Sequence, residues 1–242
     1  MTDLAELSVA EERLADLCRA LLDATAVGDR LWRESARRAI VDFLLDRPDS
    51  QQLTELLAAA LEQSFDRLGD DPGGARLLLL WELARAARDL RSRWLAYLLC
   101  DEASGAVETA PEAVLGIAAL SMGWLRAERG RSTDELWCTL ALVRGRALIE
   151  LGDLHGALHD LLDGHASAIA EQRPTLEYAI AATCAEMGEL GQAAAWAGRC
   201  LASTEALGQT PDDDLRQMVS DYRLRALASI MSLPDPGEPD PT

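Results

Sequence analysis

The chain has 242 residues, 49% of them hydrophobic but only 5% aromatic, and carries a formal net charge of −18. Leucine and alanine dominate, with too few β-branched and aromatic residues for a large sheet, so the composition is that of packed helices. No run approaches the ~18 uncharged apolar residues of a membrane span, and so acidic a surface repels phosphate backbones, which disfavours nucleic acid.

From the N-terminus, Ser8 with Glu11 forms a capping box that opens a helix with Leu14, Leu17, Cys18 and Leu21 along one stripe. Gly28 breaks it. A second helix over residues 29–46 carries Leu31, Trp32, Ala36, Ile40, Phe43 and Leu44, and Pro48 follows its end. Asp49 or Ser50 caps a third, to about residue 68, with Leu53, Leu56, Leu57, Ala60, Leu61 and Phe65 inward. Asp70-Asp71-Pro72-Gly73-Gly74 is a break, and Pro72 suits the first position of the next helix. The apolar run from Leu77 to Trp81 buries that helix on several sides. From Ser92 to Cys100 the pattern stays apolar, as a continuation or a fresh short helix. Residues 101–111, small and polar, are the best internal boundary. Pro111 starts a helix through about residue 128 with Val114, Leu115, Ala118, Met122 and Leu125 inward. Its Gly116 and Gly123 permit close helix contacts.

Residues 135–207 read as two consecutive copies of one helical-hairpin pattern, in the phrases LIELGDLHGAL and CAEMGELGQAA. Gly145, Leu148, Gly152, Leu154, Ala157 and Leu161 recur 36 residues later as Ala181, Cys184, Gly188, Leu190, Ala193 and Ala197. Gly152 and Gly188 suit a helix-ending left-handed conformation. Gly145 or Ala181 would sit where two helices cross, with Ala157 or Ala193 opposite. One such hairpin cannot bury its apolar face alone, so copies stack. Asp212, Asp213 and Asp214 then cap a last helix to about residue 231, which closes the stack. The tail 232–242 is acidic and proline-rich, the composition of a disordered segment.

These residues resemble the tetratricopeptide repeat, whose pattern asks for small residues at the crossings and a glycine-acidic-large turn. Gly152-Asp153-Leu154 and Gly188-Glu189-Leu190 both match that turn. The departures are a missing aromatic early in the first helix, where Glu177 stands in the second copy, a missing closing proline, and the 36-residue period. The resemblance covers residues 134–208 and implies a helical solenoid that binds peptides or helices of other proteins.

Candidate chemistry is sparse. His155 and His159 share a helix face, with Asp160, Asp163 and His165 near in sequence, a spacing that can hold zinc or nickel. They fall on the outer helix of the hairpin, however, where solvated polar residues are expected. There is no HExxH, no paired Glu-x-x-His, no GxSxG and no glycine-rich phosphate loop. All 23 basic residues are arginine, which excludes every lysine-dependent mechanism. Absent lysine and asparagine point to a high-GC, bacterial genome. Cys18, Cys100, Cys138, Cys184 and Cys200 have no metal-type spacing and read as buried thiols. Two arginine stripes, Arg30-Arg33-Arg37 and Arg85-Arg88-Arg91, read as partners of nearby carboxylates such as Glu34 with Arg38 and Glu82 with Arg85. The six tryptophans read as core, with Trp196 the exception, because it falls among the small residues of the second copy.

The expectation is an all-α protein of stacked antiparallel hairpins with ten or eleven helices. Residues 1–100 would be diverged repeats or a bundle, and 109–231 the repeat region with its capping helix. Its function would be non-catalytic binding of a partner protein, a basic one favoured by charge, in a groove made by the first helices of successive hairpins. Arg144, Leu148, Tyr178, Thr183 and Trp196 are the groove candidates, with no catalytic residue and no cofactor. The alternatives are an acidic mimic occupying a basic partner, and a small-ligand or metal-binding domain using His155 and His159. An N-terminus without basic and apolar signal-peptide regions makes the cytoplasm the expected location.

Overall fold

The computed structural model describes residues 4–46, 51–65, 72–90, 92–125 and 134–231. The helices are α1 (Leu4–Val27), α2 (Arg30–Leu45), α3 (Gln51–Phe65), α4 (Pro72–Leu90), α5 (Arg93–Ser104) and α6 (Pro111–Leu125). They continue as α7 (Asp134–Glu150), α8 (Leu154–Ser167), α9 (Arg173–Glu186), α10 (Leu190–Ala206) and α11 (Asp213–Met231), with a 3₁₀ turn at Ala170–Gln172. Among the described residues there is no strand, and no helix is long and apolar enough to cross a membrane. The expected cap at Asp49 or Ser50, the break at Asp70-Asp71 and the tail 232–242 lie outside the described residues.

Local chemistry sets most helix ends. Four glycines, Gly28, Gly152, Gly188 and Gly208, have φ between 72° and 78°. Each ends a helix with the same pair of hydrogen bonds. At Gly152 they are Gly152 N to Ile149 O (2.8 Å) and Asp153 N to Leu148 O (2.9 Å). This closes the carbonyls left open at a helix C-terminus, and only glycine takes the left-handed turn without strain from a Cβ. Across the turn, the Asp153 carboxylate accepts from Gly156 N (2.9 Å), and Asp29 does the same for Leu31 N (2.9 Å) and Trp32 N (3.0 Å). The first hairpin thus uses the Gly-Asp turn of the first repeat. The Ser92 hydroxyl accepts from Leu95 N (3.1 Å), so α5 is a fresh helix. Asp212 caps α11 through Leu215 N (2.7 Å). One expected start is corrected: α1 begins at Leu4, before Ser8, because residues 4–7 are strong helix formers with nothing to stop the helix.

The helices stack in two rows. α1, α3, α5, α7 and α9 pack side by side in order, and α2, α4 and α6 form a second row behind them. Helices α1–α2, α5–α6, α7–α8 and α9–α10 pair as hairpins, and α4–α5, α6–α7 and α8–α9 join one pair to the next. The pair α3–α4 departs from this scheme. There α3 lies between α1 and α5, while α4 lies against α2, α5 and α6. From α5 onward the odd helices remain in contact, but α6, α8 and α10 make no comparable contacts with one another. The stack therefore bends toward its odd-helix side.

One apolar core runs from Leu14 to Ala147, and two smaller ones continue it through α7–α10 and α9–α11. Ala103 and Val107 belong to the first core, so the 101–111 stretch, expected as an internal boundary, is a connection inside it. The crossing of α7 and α8 is close because of two glycines. A Cβ at Gly145 would lie 2.8 Å from Leu161, and one at Gly164 would lie 2.6 Å from the Ala141 methyl. The residue for which Gly145 makes room is thus Leu161, where Ala157 was expected. Gly116 is covered by the Trp81 ring of α4, whereas Gly123 faces open space.

Candidate interaction surface

On the odd-helix side, α7 and α9 present matching rows. In α7 the row is Glu135, Thr139, Leu142, Arg146 and Glu150; in α9 and its 3₁₀ turn it is Glu171, Thr175, Tyr178, Ala182 and Glu186. Each position stands 36 residues from its counterpart, and three pairs are identical: Glu135/Glu171, Thr139/Thr175 and Glu150/Glu186. The neighbouring helix α5 is flanked by α3 and α7 and backed by α4 and α6, so its exposed residues Arg93, Tyr97 and Asp101 continue the same face.

Between the two rows lies a depression of about 210 Å³ lined by Cys138, Thr139, Leu142, Glu171, Gln172, Thr175 and Leu176. Gln172 Nε2 donates to the Glu135 carbonyl (3.0 Å) and ties the 3₁₀ turn across one end. The floor is closed: Cys138 Sγ donates to the Gly164 carbonyl (3.1 Å) and Leu176 is buried. Polar walls over an apolar floor suit one large apolar side chain with peptide groups above it.

Of the residues expected to line a groove, Tyr178 is on this face and 51% exposed. The others face elsewhere. Arg144 turns back toward α8 and α6, with Nε 3.0 Å from Asp160 Oδ2 and Nη1 3.9 Å from Met122 Sδ. Leu148 (7% exposed) and Thr183 (0%) are inside the stack, and Thr183 Oγ1 donates to Ala179 O (2.8 Å). Neither offers its side chain to a partner in this arrangement. Trp196 is half-buried between the two C-terminal cores, with His165 edge-on at 5.0 Å between ring centroids and the Arg199 guanidinium 4.5 Å over its face. The sequence did hold the signal for these exposed rows. Polar residues that repeat at 36 outside the apolar framework mark positions that packing does not require.

The histidines separate. His155 and His159 are exposed on α8, and His159 Nδ1 is 3.6 Å from Asp160. His165 turns inward, its Nε2 3.1 Å from Oε1 of Glu177, whose side chain is 5% exposed. Among the described residues no group of three His, Cys, Asp or Glu is placed to hold a metal ion.

Two members of the α2 arginine stripe, Arg33 and Arg37, are engaged with carboxylates. Arg37 donates to both Glu34 oxygens (2.8 and 2.6 Å), and Arg38 is 3.5 Å from the same group. The Arg37 hydrogen bond holds the Glu34 carboxyl below its usual range. Arg33 and Arg85 stand 3.7 and 3.5 Å from buried Glu82. Arg88 and Arg91 have no described side chains.

Compared with protein families, curated proteins and solved structures, the chain matches none.

Proposed function

We propose that this chain is a non-catalytic protein-interaction module that binds a peptide or helix of a partner protein across α5, α7 and α9. The observation that carries the reading is the row Glu-Thr-Glu, which recurs at 36 residues on an exposed face. Buried positions repeat because the stack demands it. Exposed polar positions are under no such demand, so their repetition favours recognition. The inward bend of the odd row and the depression beside Leu142 support it by supplying a concave site with an apolar centre.

The test uses the full chain immobilised beside a Leu142→Asp, Tyr178→Ala variant, both exposed to lysate at low and high salt. A protein captured by the first and lost by the second supports the module. A protein retained equally by both overturns the placement of the site. Loss with salt alone, without dependence on Leu142 and Tyr178, would favour an acidic surface that occupies basic partners nonspecifically.

A further inference from the structure

We propose that the α7–α9 face takes a basic polypeptide segment carrying one large apolar side chain, which seats in the depression between Leu142 and Leu176. This deepens the groove reading above and rests on it.

On the α7 and α9 rows four carboxylates, Glu135, Glu150, Glu171 and Glu186, stand with one guanidinium, Arg146. Helix α2, at the N-terminal end of the opposite row, has the reverse balance, with Arg30, Arg33, Arg37 and Arg38 against Glu34 and Asp42, whereas α6 and α8 behind α7 hold only the carboxylates Glu112, Asp160 and Asp163.

Helix stability accounts for only two of these four carboxylates. Glu135 and Glu171 lie near helix N-termini, where the helix dipole favours them. Glu150 and Glu186 are the last residues of α7 and α9, where the same dipole disfavours a negative charge. An unfavourable placement made twice, 36 residues apart, points outward to a cation on a partner.

The face thus has two acidic rims, one at Glu135 and Glu171 and the other at Glu150 and Glu186. The offset of 15 positions from Glu135 to Glu150 sets them about 22 Å apart at ~1.5 Å per residue. An extended segment spans that distance with about seven residues. The depression lies toward the Glu135 and Glu171 rim, since Thr139, Gln172 and Thr175 line it. The segment that fits places one arginine or lysine beside its apolar anchor and a second further along.

Random short peptides displayed on phage are selected against the full chain, and the enriched sequences are measured against variants by fluorescence anisotropy. Arginine or lysine flanking one leucine, methionine, phenylalanine or tryptophan is the expected result. The affinity of those peptides should fall roughly tenfold in Glu135→Arg, Glu171→Arg, as attraction becomes repulsion. It should move less than about twofold in the charge-matched Asp42→Arg, Glu205→Arg, which changes exposed positions on the even row. Equal loss in both variants would mean diffuse attraction and overturn the proposal. Neutral or acidic peptides that still need Leu142 would overturn the basic partner while leaving the groove. Peptides indifferent to Leu142→Asp, or no enrichment at all, would remove both. Self-association of the chain abolished by Glu135→Arg, Glu171→Arg would make a second copy the occupant and also overturn it. Far-UV circular dichroism of each variant confirms that the helices are retained.

Discussion

At Gly152 and Gly188 the φ angles of 77° and 78° put the backbone where a Cβ is strained even though nothing crowds the site. Gly152→Ala or Gly188→Ala should each cost about 1 kcal/mol in urea unfolding. Gly123→Ala, in open space on a helix, should instead add about 0.5–1 kcal/mol. The thiols show how closely the copies correspond. Cys138 Sγ donates to Gly164 O in the first hairpin, and Cys200 Sγ donates to Pro174 O in the second (3.2 Å). These are the same two positions with the roles exchanged. All five cysteines are buried, and burial pushes the Cys18 and Cys100 thiols up to about 12. Their thiolate fraction at pH 8 is then on the order of 10⁻⁴, so a disulfide reagent should leave both unlabelled until the chain is unfolded. The buried Glu177 carboxylate meets His165 on one oxygen, and the other has no hydrogen-bond partner. His165→Ala should therefore cost about 1–3 kcal/mol in chemical denaturation, and replacing both residues with leucine should recover most of it.

At the scale of the element, α11 does two different things along its length. Its first half seals the stack, with Leu215 and Val219 packed on Ala197 and Cys200 of α10. Beyond Tyr222 its apolar side chains turn to solvent: Leu224, Leu227 and Met231 are exposed. Leu215→Ala should thus cost about 2 kcal/mol, while Leu224→Glu with Leu227→Glu should change stability by less than about 0.5 kcal/mol. Ending the chain at residue 212 would uncover the α10 face, to be read as dye binding and association in sedimentation. The α7–α8 and α9–α10 hairpins were legible at this scale because glycine-acidic turns and apolar spacing are local. The first hairpin was less so. It keeps the Gly28-Asp29 turn, but seven, four and nine residues from that glycine stand Leu21, Ala24 and Arg37 where the later copy has Gly145, Leu148 and Leu161.

Across the whole molecule, a net charge of −18 makes the compact state repel itself. Added salt should screen that repulsion and raise Tm between low ionic strength and about 0.5 M, in a calorimetric scan at constant pH. If stability instead fell with salt, ion pairs such as Arg144–Asp160 and Arg33–Glu82 would outweigh the repulsion. The two rows also explain why groove residues were hard to read from the chain. Arg144, Leu148 and Thr183 occupy the same helices as the exposed rows, but one helical face apart. Which face looks outward depends on where α6 and α8 pack behind α7, and that is a long-range outcome.

The sequence by itself determined the all-α class, the glycine turns at Gly28, Gly152 and Gly188 and the burial of all five cysteines. Each of these depends on backbone chemistry or on apolar spacing within one or two helices. Tertiary structure decided the two-row stack, the splayed α3 and α4, the core that runs unbroken through residues 101–111, and the outward face of α7 and α9. Those depend on which helices meet, and contact between distant segments is set by the sum of all their faces together.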